Sequence, residues 1–154
     1  VSDRQRSIVK GLVAGAVAGL AATAAKSLAE RFYPPRVHGE PEPPAKLAET
    51  LAGHRLEGDT KLAASEAIHW GFGAVAGAAY GAAAEFYPAV TARDGASFGL
   101  ALMTLTHETA LPALGLSAPV GEQSARERTS EAATHLLFGL VAERVRRAVR
   151  GMLG

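Results

Sequence analysis

The 154-residue chain contains no cysteine, which excludes disulfides, thiolate metal centres and cysteine nucleophiles. It has almost no net charge: 16 Lys and Arg face 15 Asp and Glu, leaving +1. No bulk field therefore argues for a nucleic-acid partner. It also lacks a phosphate loop, a dinucleotide fingerprint and any Ser/His spacing that suggests a hydrolase triad. Thr106-His107-Glu108 is not a HExxH zinc motif. No motif makes a positive case for an ordinary hydrolase or a nucleotide enzyme. Aromatics are scarce, whereas Ala and Gly are abundant. Apolar Ala/Gly-rich stretches suit helices that approach one another closely. The length suffices for one domain, 1–154, with one core.

A mean hydropathy of +0.10 is low for a membrane protein. The average conceals a segregation, because charge is concentrated in residues 36–62 and 117–131 and the remainder is markedly apolar. Four apolar segments are expected to form helices at about 8–32, 61–87, 93–116 and 129–150. In the first, residues 11–25 carry no charge and are bracketed by Lys10 and Lys26, which can snorkel. Its basic start and the Ala22-Thr23-Ala24 triplet imitate a signal peptide, but the segment is expected to stay as a helix. The second is the clearest span, with residues 67–84 uncharged between Glu66 and Glu85. Glu108 interrupts the third, and Pro112 should kink or end it. In the fourth only 132–142 are uncharged, so it crosses a membrane only if Glu131 and Glu143 face the bundle or its rims. Its basic amphipathic tail suits an anionic lipid surface. Between the first two helices, Pro43-Pro44 precede AKLAETLA, a short extramembrane helix stopped at Gly53. The fold class is thus all-α, a four-transmembrane-helix bundle in a lipid bilayer. A soluble helical bundle is the competing class.

Gly11, Gly15 and Gly19 lie four apart, as do Gly73, Gly77 and Gly81. Each set makes one flat helix face. In lipid, close backbone approach must supply helix association, so the first two long helices are expected to pack through these faces. Homo-oligomerisation, or docking of a membrane-protein partner, is the alternative use. Since helices alternate direction, both termini lie on one side. Arg4, Arg6, Lys10, Arg93, Arg144, Arg146, Arg147 and Arg150 collect there, and the positive-inside rule makes that side cytoplasmic. Glu85 and Glu143 are expected to meet basic residues at this rim.

The alternation also brings His69, His107 and His135 to the opposite, outward side, roughly 5–12 Å below the surface at about 1.5 Å per residue. Lys26 and Glu30 arrive at the same level. Glu131 lies four residues before His135 and Glu66 three before His69, spacings that put each pair on one helix face. Glu108 follows His107 and points elsewhere. Ionisable groups at membrane depth are costly and usually functional. Three imidazoles with the Glu131 carboxylate suit Zn, Cu, Ni or Fe, with Glu66, Glu108, Lys26 and Glu30 around them. Glu66-x-x-His69 matches an element of di-iron bundles, but Glu131 and His135 have a different spacing. The same residues would serve a proton relay or pH sensor, or act as interhelical hydrogen-bond glue in a scaffold protein. His38 and His54 fall in the polar loop and are expected to be solvated. Trp70 suits a membrane-interface belt.

These residues resemble the YagU-like bacterial inner-membrane proteins, a family without an established biochemical role. The likeness is clearest in Gly95-x-x-x-Gly99 followed by His107, Pro112, Gly115-Leu116 and Pro119. It continues in Ser130-Glu131-x-x-x-His135-Leu136, Glu143 and Arg146-Arg147. It also includes His69, Tyr80, Ala84-Glu85, Pro88, Lys26 and Pro34-Pro35-Arg36. The resemblance implies that His69, His107, Glu131 and His135 belong together, without a carboxylate at Glu66 or Glu108. It implies an inner-membrane location and supplies no reaction. Nothing carries over to the loop 37–62.

Overall fold

The computed structural model describes residues 6–36 and 40–154; Arg4 and His38 lie outside the described residues. Among the described residues the regular structure is helical, with no strand. Helix α1 (Ile8–Phe32) starts where the Ser7 hydroxyl accepts the Lys10 N–H and ends ahead of Pro34-Pro35. Helix α2 (Pro43–Ala52) opens with two prolines, whose missing N–H groups would be unsatisfied there in any case. It closes at Gly53 in the left-handed region, φ +73°. Helix α3 (Gly58–Phe86) is the longest, and α6 (Ala125–Met152) begins where the Ser124 hydroxyl accepts the Glu127 N–H.

Between α3 and α6 the chain is broken into short pieces. The stretch Pro88–Gly95, 3-10 turns interrupted by a kink at Ala92, Arg93 and Asp94, leads into α4 (Ala96–Met103), a π-helical stretch (Thr104–Ala110) and the single turn α5 (Leu111–Ala113). The expected third helix is therefore not one regular cylinder. Pro112 has no N–H to give, and the Leu111 N–H reaches back five residues to the Thr106 carbonyl. Threonine hydroxyls take up neighbouring carbonyls: Thr106 donates to Leu102 at 2.7 Å and Thr109 to Leu105 at 2.9 Å. The wider π turn changes which side chains share a face beyond Thr104.

α1 packs against α3 on one side and α6 on the other, and α4 packs on α6. The α1–α3 seam is the two glycine triplets, antiparallel. A methyl group at Gly11 would stand 2.7 Å from the Gly81 carbonyl oxygen, and Cβ atoms at Gly15 and Gly19 would run into the Gly77 and Gly73 carbonyls. The two faces are thus used against each other. A second seam joins α4 to α6, where Cβ atoms at Gly95 and Gly99 would collide with the carbonyls of Gly139 and His135.

Small and charged residues fill the interior. Ala14, Ala18, Ala22 and Ala142 are fully buried, and so is Glu143. The large apolar side chains of α1, including Ile8, Val9, Val13 and Val17, are exposed instead. A modest aromatic cluster closes the centre: Tyr80 stacks on Phe98 at 4.1 Å, and Phe98 lies 6.2 Å from Phe138. Among the described residues one helix, Ile8–Phe32, is long and apolar enough to cross a membrane. At about 1.5 Å per residue it is roughly 37 Å long, against a hydrocarbon core of about 30 Å. The segment 67–84, expected as the clearest span, falls behind it because glycines, His69 and Trp70 dilute its hydropathy.

Candidate functional site

The bundle has a polar cluster at each end. At the end shared by Ser7 and Gly154, Glu85 accepts from Arg150 at 2.5 Å and from the Ser7 backbone N–H at 3.1 Å. Glu143 accepts from Tyr80 at 2.7 Å, twice from Arg146 at 2.7 and 2.8 Å, and from Arg147 at 2.5 Å. These are the basic residues that Glu85 and Glu143 were expected to meet.

At the other end a cavity of about 470 Å³ lies among α1, α2, α3, the π stretch and α6. Its wall combines apolar groups such as Ile68, Phe72 and Leu102 with Lys26, His69, His107, Glu131 and His135. Pro43, Pro44 and Leu47 bring α2 to its edge. The volume falls within the range of small-ligand sites.

Glu131 stands at the centre of this wall and is 3% exposed. Its Oε2 lies 3.4 Å from His107 Nε2 and 3.4 Å from His135 Nδ1. The two rings meet edge-on with centroids 4.9 Å apart. One ligand atom from each of His107, Glu131 and His135 lies within 4.8 Å of the others. His135 Nδ1 is 2.9 Å from the Glu131 carbonyl oxygen. The same nitrogen thus faces both the backbone carbonyl and the Oε2 carboxylate oxygen of Glu131. His107 rides on the π stretch, and Gln123 Nε2 donates to its backbone carbonyl at 3.1 Å.

Lys26, expected near this level, is at the heart of the cluster and 8% exposed. Its ammonium donates to Glu30 at 2.5 Å, to Glu131 Oε2 at 3.0 Å and to Thr134 at 2.9 Å, which uses all three of its N–H bonds. Arg36 lies 3.6 Å from Glu131 Oε1 and bonds Glu127 at 3.3 Å. A divalent ion placed about 4 Å from the ammonium would meet repulsion of roughly 8 kcal/mol at an effective dielectric of about 20. The ligand atoms fit a metal; the ammonium in its present position opposes one.

The remaining expected site residues lie elsewhere. His69 reaches the cavity, but its Nε2 is 3.0 Å from the Ser27 hydroxyl, outside the three-ligand group. Glu66 is exposed and accepts from its own-helix neighbour Trp70, four residues on, at 2.8 Å, and not from His69. Glu108 is not among the cavity-lining residues, since it follows His107 on a different face of the π stretch. His54 is exposed. Thr134, Ser27 and Glu127 were missed. Thr134 follows Glu131 by three residues and so shares its face, whereas Ser27 and Glu127 carry no distinguishing sequence signal.

A family model described as "Protein of unknown function (DUF1440)" matches residues 20–144. That span contains Lys26, His107, Glu131 and His135. No curated protein and no solved structure matches the chain.

Proposed function

The chain belongs to the DUF1440 family, and from that premise we propose that it is a small multi-pass protein of the bacterial inner membrane, of the YagU-like kind, which binds a transition-metal ion through His107, Glu131 and His135. The observation that carries the reading is the convergence of two imidazoles and one carboxylate within 4.8 Å. Zinc ligands on bonds of about 2.1 Å at tetrahedral angles stand roughly 3.4 Å apart. His107 Nε2 and Glu131 Oε2 have that separation. Imidazole and carboxylate suit Zn, Cu, Ni or Fe.

The membrane part rests on the distribution of residues. Large apolar side chains face outward along α1, while Lys26, Glu131, Glu143 and Arg146 face inward. That is the arrangement lipid favours, with small residues at helix seams and ionisable groups turned to the bundle. In this reading α1, α3, the α4–π–α5 segment and α6 cross the bilayer. The Ser7/Gly154 end, rich in arginine, is cytoplasmic, and the histidine cavity opens outward, where a metal would be received for transport, storage or redox chemistry.

A second reading is favoured by one observation: Glu131 touches Lys26, His107 and His135 at once, as a proton-responsive network or a hydrogen-bonded scaffold would. Metal content by mass spectrometry decides between them, on protein purified in mild detergent and reconstituted with Zn, Cu, Ni and Fe. A near-stoichiometric metal is expected in the parent and lost in His107→Ala and His135→Ala. No metal in any preparation would overturn the metal reading and leave the network.

A further inference from the structure

We propose that Lys26 is a built-in counter-cation of the metal site: it occupies Glu131 in the ion-free protein and retreats to Glu30 when an ion binds. The inference rests on the metal reading above and assigns the site its selectivity.

Three observations carry it. The first is identity of position. The oxygen that faces both histidines, Glu131 Oε2, is the one that accepts from Lys26, so ammonium and metal compete for one lone-pair region. The second is a refuge. Glu30 lies one turn along the same helix, already 2.5 Å from the ammonium, and it lines the same cavity. A flexible four-carbon stem can withdraw from Glu131 without leaving a carboxylate. The third is room, because the cavity of about 470 Å³ adjoins the ammonium's position. Arg36 does not compete in this way, since it faces the other oxygen of Glu131 and is anchored on Glu127.

Charge points the same way. Lys26 and Arg36 face Glu30, Glu127 and Glu131, two cations against three carboxylates. With Lys26 still held on Glu30 the cluster keeps one net negative charge, which favours an added cation. Selectivity follows. An ion that bonds imidazole strongly compensates for displacing the ammonium. A hard ion such as Mg²⁺ or Ca²⁺, which prefers oxygen ligands, gains too little to do so. Lys26 is thus a positioning and specificity residue that need not touch the metal.

The test is a titration of Zn²⁺, with Ca²⁺ in parallel, into detergent-solubilised parent, Lys26→Met, Glu30→Gln and the double variant, each first shown to elute as a folded species. Lys26→Met is expected to bind Zn²⁺ at least tenfold more tightly and to acquire Ca²⁺ binding. Glu30→Gln is expected to bind Zn²⁺ about tenfold more weakly, since the ammonium loses its refuge. In the double variant the Glu30 substitution should have no further effect. Zinc binding by Lys26→Met but not by the parent overturns the proposal, because the ammonium then does not yield to an ion. Equal or weaker binding by Lys26→Met overturns it while the metal reading stands. Absence of binding in both overturns the metal reading itself. Should Lys26→Met not fold, Glu30→Gln decides: unchanged zinc affinity there removes the refuge and with it the proposal.

Discussion

Helix α6 carries two buried carboxylates, and they are treated in opposite ways. Glu143 is fully buried and takes four hydrogen bonds, three of them from arginines and one from Tyr80. Arg147 also reaches Asp94 at 3.1 Å, tying the loop before α4 to the same cluster. Glu131 is almost as buried, but it faces a cavity, and beside Oε2 it has Lys26 and two imidazoles, with one arginine, Arg36, 3.6 Å from its other oxygen and itself anchored on Glu127. Arginine presents a rigid, permanently charged fork, while lysine and histidine can move or change partners. One end of the bundle is locked by its chemistry; the other is adjustable.

The largest effect should follow from breaking the lock. Glu143→Gln leaves the buried Arg146 guanidinium without the carboxylate that takes two of its N–H bonds. Removing one partner of a buried pair costs about 3–5 kcal/mol, and thermal unfolding in detergent should register it as a severe loss. The matching change at the other end should be milder. Glu131→Gln keeps a carbonyl oxygen for Lys26, which also retains Glu30 and Thr134, and Arg36 retains Glu127. A cost of about 1–3 kcal/mol is expected, on the scale of one compromised buried hydrogen-bonded group. Equal losses at both positions would show that the two ends are equally structural and would remove the contrast.

Part of the lock was legible in the sequence, because Glu85 and Glu143 close apolar segments at the end where arginines collect, so each was expected to meet basic residues. The glycine seam of α1 and α3 was legible too: two triplets at four-residue spacing define two flat faces. The adjustable end was legible only in part. Helical spacing gives the level of a residue and its face, not the rotation of its helix against a neighbour. Lys26 reads as a flank because it sits one residue beyond an uncharged run, yet its helix is turned so that the stem runs inward. The π stretch has no period of its own in the sequence, although it leaves His107 in the cavity and Glu108 outside its lining, as their adjacency already suggested. His69 reads as a ligand by level, whereas its neighbour on α1 turns out to be Ser27.

That last difference gives a sharper, smaller prediction. His69→Ala removes one partly buried hydrogen bond and should cost about 1 kcal/mol or less. If the ion is held by the three groups that converge, the variant keeps a near-stoichiometric metal, in contrast to His107→Ala. Loss of the metal would mean that α3 closes on the site when it is loaded and supplies a fourth ligand.

The smallest effect is expected at the loop that the locked end holds. Arg93 and Asp94 both adopt left-handed backbone, φ +55° and +54°, which costs an ordinary residue about 1–2 kcal/mol. Asp94 offsets part of this through its ion pair with Arg147, but both side chains are more than half exposed, and such a pair is worth about 0–1 kcal/mol. Asp94→Gly relieves the strain and loses the pair, while the freer unfolded glycine chain takes back about 0.5–1 kcal/mol. The three contributions nearly cancel, so unfolding should shift by no more than about 1 kcal/mol either way. Glu143 keeps its bonds to Arg146 and Tyr80 throughout. A loss well above 2 kcal/mol would place the lock in the Asp94–Arg147 clamp, at the surface, and not in the buried carboxylate beneath it.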